Sequence, residues 1–175
     1  WVWAKHPGVP EIVYGFGPSI KWKNLDFSFF FQGSARSSFW IDPTATAPFV
    51  SDSSLGGNNQ RALLKYWADS HWSEDNRDIF ALWPRLSNVA NENNQQTSTW
   101  FMRDGSFLRL KSVEIGYSLP QKWIRPISLQ NVRLYATGSN LLVFSKFKMW
   151  DPEMAGNGFS YPLQRVFNFG INIEF

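Results

Sequence analysis

The sequence contains no cysteine, which excludes disulfides, thiolate metal sites and cysteine nucleophiles. It also contains no apolar run of about 18 residues, so it has no ordinary transmembrane helix. The formal net charge is only +3, and the 17 basic and 14 acidic residues are scattered along the chain. Because nucleic-acid binding requires a concentrated basic surface, we expect no nucleic-acid partner.

Signatures of catalysis and cofactor binding are missing as well. The chain has no GxSxG motif, phosphate-binding loop or dinucleotide fingerprint, and its two histidines, His6 and His71, are far apart. The acidic residues Glu74, Asp75 and Asp78 lie close together but lack the glycine turn of an EF-hand, so a solvated loop or helix cap is the better interpretation. We expect neither an enzyme nor a cofactor or metal site.

Aromatic residues, by contrast, are abundant and arranged in alternating patterns. They form 18% of the chain, with 10 Trp and 16 Phe. Alternation of apolar and polar residues predicts five antiparallel strands and an all-β fold. Lys23 and Asn24, where the first strand meets the second, leave room only for a tight hairpin turn. The predicted strands cover residues 14–23, 25–35, 107–118, 132–143 and 166–175.

Two of these strands contain irregularities. Pro18 cannot donate a ladder hydrogen bond, which puts regular pairing of the first strand in doubt at that point. In the third strand the apolar parity changes near Lys111 and Ser112, which is the pattern of a β-bulge.

The last strand shows the clearest alternation and ends on an aromatic residue. One face carries only large apolar side chains: Phe167, Phe169, Ile171, Ile173 and Phe175. The other face carries only polar or small residues: Asn168, Gly170, Asn172 and Glu174. Such a strand fits either a membrane barrel or a half-buried sheet in a soluble β-sandwich. The terminal Phe175 resembles the assembly signal of bacterial outer-membrane barrels.

The connections between strands are unequal in length. If the strands are antiparallel in sequence order, the long connections of about 70 and about 20 residues lie at one end of the sheet and the short ones at the other, as in outer-membrane barrels. The longest connection contains a predicted short helix within residues 59–72, where Leu63, Leu64 and Trp67 have helical spacing and Asn58 or Asn59 is a possible cap.

Five strands cannot close a barrel by themselves, because an open edge in lipid leaves backbone amides unpaired at several kcal/mol each. The strands therefore either complete a larger barrel or pack against a second sheet. The loop asymmetry, the aromatic content and the terminal Phe favour the barrel. A soluble carbohydrate-binding β-sandwich remains the alternative.

Several motifs then show a family resemblance. SFLRLKSVEIGYSLP (106–120), VRLYATGSNLLVFSKF (132–147), WDPE (150–153) and YPLQRVFNFGINIEF (161–175) occur in that order. Together with residues 11–36, 63–76 and 83–87, they resemble the C-terminal end of SusC/RagA-type TonB-linked outer-membrane transporters of Bacteroidota.

The resemblance implies a barrel of about 22 strands, of which this chain supplies the last five, with long extracellular loops carrying the short helix. It implies import of glycans or peptides across the outer membrane, with a SusD-like lipoprotein outside and TonB inside. The plug domain of such transporters is not present in this chain, so we expect a piece of a longer protein.

Six tryptophans lie on or beside the predicted external loops. Their rings could stack on a sugar or dock a lid protein; the alternative is that they pack the loops into a rigid mass. The six are Trp40, Trp67, Trp72, Trp83, Trp100 and Trp150. Trp22 and Trp123, near the short-turn end, fit an interfacial aromatic belt.

Charged residues of the third and fourth strands are predicted to face the barrel interior. Arg109, Lys111 and Arg133 lie on or near polar-face positions, where they could contact the plug or a polar substrate. Asp151 and Glu153 in the WDPE motif could bind a cation, although Asp before Pro is more typical of a turn.

Overall fold

The computed structural model describes residues 6–49, 62–89 and 91–175. Most regular structure is antiparallel strand, with a few short helices. The strands are β1 (Ile12–Phe16), β2 (Ser19–Trp22), β3 (Leu25–Ala35), β4 (Ser38–Trp40), β5 (Met102–Asp104), β6 (Phe107–Ser118), β7 (Asn131–Ser145) and β8 (Val166–Glu174). The α-helices are α1 (Pro43–Thr46), α2 (Lys65–Asp69) and α3 (Gln121–Ile124).

The main sheet has six strands in the order β1-β3-β6-β7-β8, with β2 also paired to β3. Every pairing in it is antiparallel. Strands β4 and β5 form a separate two-stranded sheet within the longest connection. Strands β1, β2 and β8 lie at the edges of the main sheet, each paired on one side only.

The first predicted strand is divided in the structure. Where the sequence placed one strand at 14–23, β1 and β2 occur, separated by Gly17 and Pro18. Pro18 has no N–H for the ladder, although its carbonyl still accepts a hydrogen bond from the Phe29 amide at 3.3 Å. A Cβ at Gly17 would collide with the Phe29 carbonyl oxygen, so this close approach requires glycine. The expected irregularity at Pro18 is confirmed.

The predicted β-bulge is also confirmed. Phe30 pairs with Ser112 and Phe31 with Leu110, so Lys111 is the extra residue of β6 against β3. The register with β7 shifts at the same place, between Leu110 and Ser112. Asn140 of β7, in the loop-side half of that strand, adopts a left-handed conformation with φ 55°. The bulge returns the apolar residues of β6 to a single face.

One face of the main sheet is apolar and uncovered. Leu25, Tyr117, Leu134 and Ile171 are successive cross-strand partners and form a row across β3, β6, β7 and β8. All four are exposed, and Phe169 in the adjacent row is 82% exposed. Within the described residues no second sheet packs on this face, so the structure does not support the β-sandwich alternative.

The main buried core lies in the connections instead. Its buried members come from the segments around β4, α1 and α2, from the 3₁₀ turn Thr99–Phe101, and from the segment after β7. They are Ile41, Ala47, Trp67, Trp83, Phe101 and Phe147, and we call them the loop core. Seven partly buried hydrophobic residues of the described chain, including Phe39 and Trp150, pack against it. The long connections therefore fold into a packed mass at one end of the sheet.

The predicted helix is present but shorter than the sequence indicated. Helix α2 covers Lys65–Asp69 and begins after Leu64, which has an extended conformation. Leu63 and Leu64 pack against the loop core rather than forming a helical turn. The suggested caps Asn58 and Asn59 lie outside the described residues. No helix in the described ranges has the length and hydropathy needed to cross a membrane.

Candidate functional site

The polar face of the main sheet carries an ionic cluster around Arg133. Its Nη2 lies 2.5 Å from Asp26 Oδ2 and 2.6 Å from Glu114 Oε1. These residues belong to β7, β3 and β6, so the cluster joins three neighbouring strands. The side chain passes over Gly116, where a Cβ would collide with the guanidinium. Arg133 therefore lies on the polar face, as the alternation predicted, and its charge is balanced within the chain.

A second polar-face contact joins the last two strands. Arg133 Cζ lies 5.5 Å from the ring centre of Tyr135, a cation–π distance. The Tyr135 ring in turn covers Gly170, its cross-strand partner in β8, so that a Cβ at Gly170 would collide with the ring. Gly116 and Gly170 thus make room for large side chains of β7. The Tyr135–Gly170 contact favours the observed register of β8 on β7, and the Arg133–Gly116 contact that of β6.

Arg109 forms the most buried ion pair among the described residues. The residue is 3% exposed. Its Nη2 donates to both carboxylate oxygens of Asp151 at 2.6 and 2.7 Å, and its Nε lies 2.7 Å from Glu153 Oε2. The WDPE carboxylates therefore bind an arginine of β6. Asp151 Oδ1 also accepts from the Glu153 amide at 3.0 Å, as expected for a turn that begins at Asp-Pro.

Two of the six predicted contact tryptophans lie inside the loop core. Trp67 is 0% and Trp83 is 4% exposed, and their ring centres are 4.9 Å apart. Trp67 Nε1 donates to the Thr46 carbonyl at 3.0 Å, so its polar group is satisfied inside the chain. Trp83 also contacts Phe101, with ring centres 5.5 Å apart. For Trp67 and Trp83 the structure supports the packing alternative.

The other four tryptophans retain accessible surface. Trp100 is 37% exposed, and Trp40, Trp72 and Trp150 are partly exposed. Trp150 packs edge-on against Phe147 with ring centres 5.0 Å apart and donates from Nε1 to the Ala155 carbonyl at 2.8 Å. Phe175, the predicted assembly signal, follows β8 and is 84% exposed.

Sequence reasoning missed a cavity of about 390 Å³ beside the loop core. Leu82, Phe147 and Met149 form apolar walls, and Arg103, Lys146 and Lys148 supply positive charge. Burial lowers the pKa of the half-buried Arg103, but an arginine stays protonated in proteins. The one sequence signal was a phenylalanine between two lysines, Lys146-Phe147-Lys148, directly after β7. Arg103 lies in a strand of three residues, too short to show alternation.

Asp104 borders the same cavity. Its burial raises the pKa of the carboxyl group, but hydrogen bonds from Ser106 and the nearby charges of Lys146 and His6 outweigh burial, so the pKa is lowered overall. The carboxylate is therefore charged at neutral pH. Among the residues that the structure describes, no cluster of three or more potential metal ligands occurs.

Comparison with known proteins was made by sequence and by fold. No family model matches the chain. It is 28% identical to TonB-dependent receptor P26 of Formosa agariphila over 95% of its own length and 17% of that receptor. It is 27% identical to TonB-dependent receptor SusC of Bacteroides thetaiotaomicron over 100% of its length and 16% of SusC.

Solved structures agree with these relatives. A chain of the RagAB peptide importer in its open-open state superposes with a TM-score of 0.69 at 25% identity, over 97% of this chain and 18% of that one. The chain is similar to TonB-dependent receptors of the SusC/RagA type. The closed-closed RagAB state superposes with a TM-score of 0.72 at 24% identity, which supports the fold. The chain spans less than a fifth of the length of the relatives it matches.

Proposed function

We propose that the chain forms the last strands of the barrel of an outer-membrane, TonB-dependent importer. The observation that carries this proposal is the difference between the two faces of one sheet. Large apolar side chains such as Phe169 stand uncovered on one face, while the charges of Asp26, Glu114 and Arg133 are paired on the other. Lipid outside and water or a plug inside account for both faces at once.

The same proposal explains the open edges of the sheet. Within residues 6–49, 62–89 and 91–175, backbone groups along the outer edges of β1, β2 and β8 have no partner strand. In a bilayer such groups must be paired, so we propose that the remaining barrel strands of the same transporter pair with them, to a total of about 22. A plug domain and TonB would act through parts of the protein outside this chain, and Phe175 would serve as the assembly signal.

The short-turn end of the sheet supports an orientation towards the periplasm. Trp22 and Trp123 are exposed there, and Lys23 Nζ lies 4.9 Å from the centre of the Trp22 ring. Exposed tryptophans with neighbouring cations are typical of the membrane–water interface. The loop core then lies on the extracellular side, where a SusD-like lipoprotein would meet it.

The cargo would be a glycan or an oligopeptide, as the family resemblance implies; among the similar proteins, RagAB is named as a peptide importer. Of the six loop tryptophans, four have accessible surface that could contact cargo or lid: Trp40, Trp72, Trp100 and Trp150. The relatives are named as receptors and importers, and we propose transport without catalysis.

The test compares matched charge substitutions on adjacent residues of β8. Phe169→Lys places a charge on the apolar face, which costs about 2–4 kcal/mol at the bilayer midplane. Asn168→Lys places the same charge on the polar face. We expect the first variant to lose most of its outer-membrane abundance and its cargo uptake, and the second to keep both. Equal losses in the two variants, or none in either, would contradict the proposal.

A further inference from the structure

The cavity beside the loop core has a net positive charge, because its cationic side chains outnumber its carboxylates. Arg103 donates from Nη1 to the carbonyls of Trp100 and Met102 at 2.6 and 2.9 Å. No carboxylate of the described residues lies within ion-pair distance of it, and its Nε and Nη2 have no partner among them. Arg109 and Arg133, by contrast, each bind two carboxylates. The guanidinium of Arg103 is held in place and remains available to an anion.

The rest of the lining strengthens this positive charge. Three cations, Arg103, Lys146 and Lys148, and one carboxylate, Asp104, border the cavity, a formal sum of +2. Lys146 is only weakly paired with this carboxylate, because its Nζ lies 3.7 Å from Asp104 Oδ2 and the lysine side chain is 84% exposed. Both lysines are therefore free to turn towards a bound anion.

The apolar walls restrict what else the ligand can carry. The side chains of Leu82, Phe147 and Met149 offer a ligand no hydrogen-bond partners. The Tyr66 hydroxyl already donates to the Lys148 carbonyl at 2.8 Å. A sugar ring packed against these three apolar side chains would bury hydroxyls without partners on that side, which costs free energy. An apolar amino-acid side chain would not. A volume of about 390 Å³ accommodates one or two residues of a peptide.

We propose that this cavity binds an oligopeptide through a carboxylate next to an apolar side chain. The carboxylate contacts Arg103, Lys146 and Lys148, and the apolar side chain lies against Leu82, Phe147 and Met149. The assignment rests on the proposed importer function and narrows its cargo to acidic or C-terminally free peptides at this position.

The experiment measures binding by calorimetry to the intact transporter in detergent. Three probes are compared: a short peptide ending in leucine with a free carboxylate, the same peptide amidated at that end, and an oligogalacturonate as an acidic sugar. We expect the free peptide to bind about tenfold more tightly than the amidated one, the scale of one charge-assisted hydrogen-bond pair.

Three variants locate the effect. Arg103→Gln should remove the preference for the free carboxylate. Because Arg103 also holds two loop carbonyls, the double variant Lys146→Gln with Lys148→Gln provides a second measurement, in exposed side chains whose loss leaves the fold intact. It should reduce the preference several-fold at low salt. Lys122→Gln, in α3 at the opposite end of the sheet, is the matched control and should change nothing.

Equal binding of the two peptides would overturn the inference, as would an undiminished preference in both the Arg103 and the double-lysine variants. Oligogalacturonate binding that depends on Arg103, without peptide binding, would overturn the assignment to peptides. Uptake by intact cells separates this inference from the proposed function. If uptake depends on TonB but shows no preference for the free carboxylate, the importer function is retained and the peptide site is rejected. If neither peptide nor glycan is taken up, both proposals are rejected.

Discussion

Alternation along a strand predicts which face of the sheet a side chain occupies, but not which residue it contacts. Alternation placed Arg109 and Arg133 on the polar face, and both are there. Their partners were not predictable, since Arg133 pairs with Asp26, 107 residues away in the sequence, and Arg109 with Asp151, 42 residues away. Such pairs depend on strand order and on the path of the connections, which a single sequence does not encode in its local pattern.

Arg109 provides a prediction at this scale. Arg109→Gln leaves the partly exposed carboxylates of Asp151 and Glu153 without their cation, so we expect a cost below the about 3–5 kcal/mol that breaking a fully buried ion pair causes. We expect a lower melting temperature for the intact protein and faster proteolysis of the segment between β7 and β8, which Arg109 holds.

The matched control for Arg109 is Arg36→Gln. Arg36 pairs with Glu11 at 2.6 Å, but both side chains are well exposed, and such pairs contribute at most about 1 kcal/mol. If the two variants lowered the melting temperature equally, Arg109 would have no special role in holding the loop.

Elements were predictable in proportion to their length. Strands of nine residues or more, such as β3, β6 and β8, display several periods of alternation, and the break at Pro18 and the bulge at Lys111 both left local signals. Strands β4 and β5 have three residues each and were missed, because so short a segment has no period to detect. Helix α2 was overestimated, because Leu63 and Leu64 have helical spacing but pack from an extended segment.

The pairing of β7 with β8 provides a prediction at the scale of elements. Gly170→Leu would force the Tyr135 ring away from its position over β8, disturbing the last strand where it pairs with β7, its one neighbour among the described strands. We expect reduced barrel assembly, measured as the fraction of protein that resists heat denaturation in detergent. Asn168→Leu, on the same face of the same strand, should have little effect. Equal behaviour of the two variants would show that the Tyr135–Gly170 contact does not position β8.

At the scale of the whole molecule, packing is divided between two environments. The loop core is buried by residues of this chain: Trp67 is 0%, Phe101 2% and Trp83 4% exposed. The apolar face of the main sheet, by contrast, finds no cover within the described residues. Alternation could predict that one face is apolar, but not what covers it, because a second sheet and a bilayer demand the same residue pattern. No second sheet covers the apolar face within the described residues, and lipid is the cover that we propose.

The absence of cysteine in the chain makes this cover directly measurable. Single substitutions Ile171→Cys and Asn172→Cys, in the intact transporter with any other cysteine replaced, place a nitroxide label on adjacent residues of β8 in reconstituted bilayers. Lipid cover predicts that the Ile171 label relaxes faster with lipid-soluble oxygen and the Asn172 label with a water-soluble nickel complex. Shielding of the Ile171 label from oxygen, or an inverted order, would contradict the account.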